Sequence, residues 1–336
     1  MWRWTARIVV CGLVLMLVLS GAVLAQATGE KGKISLNYWF PEVLGADTVV
    51  GMNQDRYTEW FGVGEPLRLK YPETNGLAIK IEGNLGDLRV GAAYWSLESR
   101  AKLDIAADPD RGVILPNYIH PAWVKCYHGK QGGKVYGTGD LQTSLFDLEL
   151  GPKGTGTVFV GGIRKVDLTR TEELSFAKQG YFGQYGQSVK DVSRASLVGP
   201  FIGLNGSTLA GPIQLSAGAK VGLLVNSLKV STDQSFFYTP NNDGPVARLL
   251  QEVLDDYPFA DTTRSLSVPV LSVDLDLAAT YELTPSLAVV AGYRAVLIQD
   301  AVGRIVFPDD AHGAMNLLEL SDLGFSGVRV GLVYSF

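Results

Sequence analysis

The chain has 336 residues, 46% of them hydrophobic, with 39 glycines and a formal net charge of −5. That acidic balance excludes a nucleic-acid partner, because tracking phosphates requires a basic surface. Beyond the first segment no run of about 18 apolar residues exists, so any membrane crossing has to be made by strands.

The N-terminus comes first. Arg3 and Arg7 precede an uncharged apolar run from Ile8 to Leu19, followed by small residues ending in Val23-Leu24-Ala25 or Ala25-Gln26-Ala27. This is the order of a secretory signal, and the apolar core falls short of the roughly 20 residues of a spanning helix. Residues 1–27 are therefore expected to be removed, leaving 28–336 as a single domain. Loss of Arg3 and Arg7 takes the net charge from −5 to −7 and leaves Cys126 as the sole cysteine. No internal disulfide and no paired-cysteine zinc cluster can then form.

Downstream, the dominant period is two, the repeat at which side chains alternate between the faces of a strand. It predicts about ten strands, over residues 34–42, 76–84, 88–97, 140–150, 157–168, 194–204, 213–225, 268–282, 287–299 and 323–336. In one of them Leu271, Val273, Leu275, Leu277, Ala279 and Tyr281 alternate with Ser272, Asp274, Asp276, Ala278, Thr280 and Glu282. Such strands exceed the roughly five or six residues of an average soluble strand and match the roughly 9 to 11 that cross a bilayer at a tilt. The links also alternate. Turn-forming residues make short links at 84–87, 151–156, 205–212 and 283–286, whereas 43–75, 101–139, 169–193, 226–267 and 300–322 read as long loops. Short links at one end and long ones at the other are the pattern of transmembrane barrels, with short periplasmic turns and long extracellular loops. Within the loops, Val246, Leu249, Leu250, Val253 and Leu254 follow Pro245 at helical spacing and predict a short helix over 245–257. Residues 113–127 are the segment able to add two strands, so the count stays open between eight and twelve.

In the last strand Val328, Val330, Leu332, Tyr334 and Phe336 share one face, and Phe336 ends the chain. Here the sequence resembles the bacterial outer-membrane β-barrel superfamily, whose final strand ends in an aromatic residue after alternating apolar positions. The resemblance implies an all-β, closed antiparallel transmembrane barrel in the outer membrane. It also implies outer-membrane lipid and the barrel-assembly machinery as partners, with Tyr334 and Phe336 in the assembly signal. Closure follows from physics as well, because an open sheet edge in hydrocarbon leaves backbone groups unpaired at several kcal/mol each. Tyr38, Trp39, Phe40, Tyr94, Trp95, Tyr281 and Tyr334 suit the interfacial aromatic girdles. The competing fold is a periplasmic sandwich or lipocalin-like barrel with the apolar face turned inward.

With apolar faces on lipid, the polar faces line the interior with Lys80, Glu82, Arg89, Asp147, Glu149, Lys220, Asp274, Asp276, Glu282, Arg294 and Arg329. Both signs are present. Either these groups pair and close the lumen, or they line a narrow wet pore, in which Asp274, Asp276 and Arg294 would set a transverse field. Ten strands are only slightly wider than the eight whose interior side chains fill, so a constricted lumen is expected. The leading expectation is a porin-like, non-enzymatic barrel passing small polar solutes or ions. The alternative is a closed-lumen surface-recognition or structural barrel acting through its loops. A remoter one rests on a resemblance to the omptin outer-membrane proteases, carried by Asp108-Pro109-Asp110 and by Asp310-Ala311-His312, where a carboxylate-oriented His can activate water. His120 and His128 flank Cys126 without metal-ligand spacing and read as surface residues, so no metal is expected. No nucleotide-binding glycine loop stands out and no cofactor is expected. The sequence leaves assembly into homo-oligomers open.

Overall fold

Period-two alternation becomes, among the described residues, thirteen strands in the computed structural model: β1 (Lys33–Leu44), β2 (Thr48–Gln54), β3 (Pro66–Leu69), β4 (Asn75–Leu85), β5 (Leu88–Ala106), β6 (Gly112–Ile114), β7 (Gly133–Pro152), β8 (Val158–Gln179), β9 (Gly183–Ala210), β10 (Ile213–Pro240), β11 (Thr262–Thr284), β12 (Leu287–Val306) and β13 (Leu317–Ser335). The structure describes residues 32–54, 66–72, 74–106, 112–114, 133–154, 156–179, 183–240, 262–306 and 317–336. The expected signal, the 245–257 helix, most of 113–127, and the groups at Asp108, Asp110, His120, Cys126, His128, Asp310 and His312 lie outside the described residues.

Ten strands close into one antiparallel barrel, ordered β1-β13-β12-β11-β10-β9-β8-β7-β5-β4, and β4 pairs back onto β1. These ten match the ten predicted strands one for one. The seam between the chain's ends is a regular ladder from Lys33↔Ser335 to Leu44↔Gly324. Gly32 and Phe336 tie its lower end by exchanging backbone hydrogen bonds of 2.9 and 3.0 Å. No strand edge of the barrel is left to lipid, as the hydrocarbon requires. At the same end, Gly86 and Gly211 take φ values of 60° and 63° at the first central position of two-residue hairpin turns, where a side chain would be strained.

The outer surface locates the bilayer. On β10 the outward residues Ile213, Leu215, Ala217, Ala219, Val221, Leu223 and Val225 are all apolar, and the next ones are Ser227, Lys229, Ser231 and Asp233. Twelve residue steps at about 3.4 Å and a tilt near 45° span about 29 Å, the thickness of the hydrocarbon core. The same change from apolar to polar falls after Ile163 on β8, above Val198 on β9, above Pro269 on β11 and after Leu297 on β12.

Above that level the polarity inverts. Leu228 and Val230 point inward and are buried while Lys229 is exposed outside. The strands therefore continue far beyond the bilayer, and this corrects the expected links. Much of 169–193, 226–267 and 300–322 is strand, since β8 runs to Gln179, β10 to Pro240 and β12 to Val306. The 205–212 link shrinks to a turn at 211–212, because β9 extends to Ala210. In the first two long links, β2, β3 and β6 form a separate three-stranded sheet. Residues 112–114 thus add to this small sheet and not to the barrel.

Candidate functional site

The interior, read upward from the chain-termini end, has three layers. The lowest is ionic. Lys80 Nζ lies 2.8 Å from Glu82, Arg89 donates to Glu149 at 3.0 Å, and Lys220 Nζ bridges Glu149 and Asp147 at 2.7 and 3.2 Å. Arg294 donates to both oxygens of Asp274 at 3.1 and 2.7 Å, and Arg329 grips Asp276 while donating to Asn37 at 3.0 Å. Of the predicted interior charges, only Glu282 stands apart, exposed near the lower end of β11 with no ion pair among the described residues.

The centre of this layer is a residue that the sequence reading did not select. Arg164, fully buried on β8, donates from Nε and Nη2 to the two oxygens of Asp147, each at 2.8 Å. It also donates to Asp274 at 2.8 Å and to Ser272 at 2.9 Å. Its planar fork suits this task, since bidentate guanidinium–carboxylate pairs are among the strongest hydrogen-bonded contacts. A buried cation is tolerated only when its donors are satisfied by acids, and here two carboxylates and a hydroxyl do so from three directions.

The second layer is a hydrophobic septum. Every barrel strand contributes: Trp39, Ala78, Trp95, Leu145, Val166, Leu197, Leu224, Val270, Val296 with Ile298, and Phe325. Apart from the partly buried Ala78, each is 2% exposed or less. Ala78, Trp95, Leu145, Val166 and Leu197 stand in one unbroken cross-strand row. Trp39, Trp95 and Phe325 meet edge-on with centroids 5.3 to 6.4 Å apart, the preferred aromatic geometry. The Arg294 guanidinium lies 5.8 Å from both Trp rings and joins the septum to the ionic layer below. This corrects the expected girdle: Trp39 and Trp95 are interior, whereas Tyr38, Phe40, Tyr281 and Tyr334 do face outward.

The third layer lies above the bilayer. Glu172 and Asp191 are cross-strand partners on β8 and β9, both buried. Tyr71 donates to Glu172 at 3.2 Å, Thr232 donates to Asp191 at 2.7 Å, and Arg304 Nε sits 3.4 Å from Asp191. Burial raises the Asp191 carboxyl above the usual range, against the lowering pull of Arg304 and of the Thr232 hydrogen bond. Burial likewise raises the Tyr71 phenol, reinforced by Glu172. Tyr71 belongs to a strap that enters the barrel mouth. Leu69 and Tyr71 are buried there against Gly139, where a Cβ would come within 2.5 Å of the Tyr71 hydroxyl. Ser99 donates to the Pro72 carbonyl at 3.3 Å, and the Thr74 amide donates to the Pro41 carbonyl at 3.0 Å. A groove of about 680 Å³ between β9 and β12 is lined mainly by outward residues such as Leu215, Leu277 and Tyr293. Residues of inward parity, Ser216, Ala278 and Gly292, line it as well.

A closed ten-stranded barrel with an apolar belt the thickness of a bilayer is an outer-membrane β-barrel, and the outer membrane is its place. No protein-family model matches the chain, and no curated protein matches it. Among solved structures it is similar to the outer membrane protease OmpT from Escherichia coli, at 13% identity over 91% of this chain and 96% of that one, with a TM-score of 0.44. It is also similar to the translocator domain of the autotransporter NalP from Neisseria meningitidis, at 11% identity over 96% of each chain and a TM-score of 0.29. Neisserial surface protein A matches at 11% identity over 91% of this chain and 97% of that one, with a TM-score of 0.26. These similarities reach no further than the barrel.

Proposed function

We propose that this protein is a closed-lumen outer-membrane barrel that works through the structure it holds above the bilayer, as a surface-recognition or structural barrel, in place of the porin-like passage that its charged strand faces suggested. The observation that carries the reading is the septum to which every barrel strand contributes. A continuous water path would have to expose those side chains at about 1.5–3 kcal/mol each. Passing five of them costs on the order of 10 kcal/mol, an open fraction of roughly one in ten million. The ionic layer adds no path, because its charges are spent on one another.

The strand extensions supply the alternative role, since they carry a rigid scaffold well clear of the lipid, and recognition residues ordinarily sit on loops that such a scaffold holds. Proteoliposomes provide the test. Vesicles containing folded protein are expected to swell in arabinose no faster than empty ones, and swelling that rises with protein content would return the porin reading. Peptide cleavage by the intact protein that disappears in His312→Ala would instead favour the hydrolase reading.

A further inference from the structure

We propose that Arg194 and Lys229 form a binding site on the outside of the barrel for the phosphate of an anionic lipid in the outer leaflet. The two are direct cross-strand partners on β9 and β10, and both are exposed. Like charges placed opposite each other destabilise a sheet unless something offsets them. No carboxylate does so here. Among the described residues neither side chain has an ion pair, whereas Arg100 pairs with Glu98, Lys165 with Asp167 and Lys190 with Glu173, and Lys102 lies over the Tyr136 ring. Exposed Lys134 also has no ion pair among the described residues, but it stands alone near the upper end of β7 and not opposite a second cation. The two nearby acids are occupied as well or set apart. Asp167 receives Lys165 and Ser196, and Asp233 stands four residues further up β10 beside Lys190.

Position selects the ligand. Arg194 and Lys229 stand four residues above Val198 and Val225, where the continuous apolar outward run of each strand ends; on β9 a single apolar outward residue, Val192, follows above Arg194. Four steps at about 3.4 Å and a 45° tilt lift them about 10 Å above the hydrocarbon edge, from where long side chains snorkel down into the headgroup layer. Thr169 and Ser265 continue the same cross-strand row on either side, adding hydroxyl donors for phosphate oxygens. A membrane phosphate has its acyl chains in the apolar belt directly below, whereas a free phosphate would gain nothing from that adjacency. The site is independent of whether the lumen conducts.

The test uses the full-length folded protein in a neutral detergent, with dioleoyl phosphatidic acid as the probe and dioleoylglycerol as its phosphate-free counterpart, read by native mass spectrometry. The expected result is retention of phosphatidic acid but not dioleoylglycerol, weakened about tenfold or more in R194Q/K229Q. The control K165Q/K190Q removes two cations that already have acid partners and is expected to bind within about twofold of the wild type, its fold checked by heat-dependent gel mobility. Equal binding by R194Q/K229Q, or equal retention of dioleoylglycerol, would overturn the proposal. Displacement by inorganic phosphate at concentrations comparable to the lipid's would overturn it in favour of a soluble anion.

Discussion

Replacing Arg164 with Met removes the buried cation while keeping most of the side chain's length and apolar volume. Four hydrogen bonds are lost, and Asp147 and Asp274, almost wholly buried, each lose a partner. Breaking a buried ion pair from one side costs about 3–5 kcal/mol, most of it from the charge left behind. Here Asp147 keeps Lys220 at 3.2 Å and Asp274 keeps Arg294 at 2.7 Å, which places Arg164→Met at the lower end, about 3 kcal/mol. The double variant Arg164→Met/Asp147→Leu removes one stranded charge with its partner and is expected to recover more than half of that loss. Urea unfolding of protein in lipid vesicles, followed by tryptophan fluorescence, measures both. A loss below about 1 kcal/mol for Arg164→Met would refute the view that this cation organises the lower interior, as would a double variant no better than the single one.

Asp191 gives a pH prediction. Its folded pKa is raised by burial, so the folded state binds the proton more tightly than the unfolded state. Stability is then highest below the ordinary aspartate pKa and is lost as pH rises from there through the raised folded value. Asp191→Asn keeps an acceptor for Thr232, and the variant is expected to abolish that loss and to match or exceed the wild type at pH 7 in urea titrations run at several pH values. Gly139→Val places side-chain atoms where the Tyr71 hydroxyl lies and is expected to expel the strap, breaking the Tyr71–Glu172 hydrogen bond. Limited proteolysis would detect this as new cleavage within residues 66–74, and an unchanged digest would count against the strap's seat.

Within the bilayer the fold was legible because lipid imposes one rule on every strand, apolar outward. Leu271 to Tyr281 and Leu215 to Val225 obey it without exception, and the predicted strands cover the bilayer-level parts of β10 and β11, which run on above it to Pro240 and Thr262. Above the bilayer water replaces lipid outside and the rule reverses. The run Ser227-Leu228-Lys229-Val230-Ser231 still alternates, but in the opposite phase, so a search for a single phase stops at Val225 and takes the rest for a loop. Trp39 and Trp95 were misplaced for a related reason: Tyr38-Trp39-Phe40 and Tyr94-Trp95 are aromatic on both faces, and only parity with the interior residue Asn37 shows that Trp39 points inward. Arg164 was hidden in Ile163-Arg164-Lys165-Val166, where each face carries one charge and one apolar residue. The ion pairs themselves depend on cross-strand register, which no single strand's sequence contains.

The claim on which the proposed function depends is that the septum closes the barrel, and planar-bilayer recording of purified, refolded protein tests it most directly. The wild type is expected to be electrically silent. A variant with Trp39, Trp95 and Phe325 all changed to alanine, which empties the aromatic centre of the septum, is expected to conduct in discrete steps if it remains folded. Reproducible conductance steps from the wild-type protein would contradict the account.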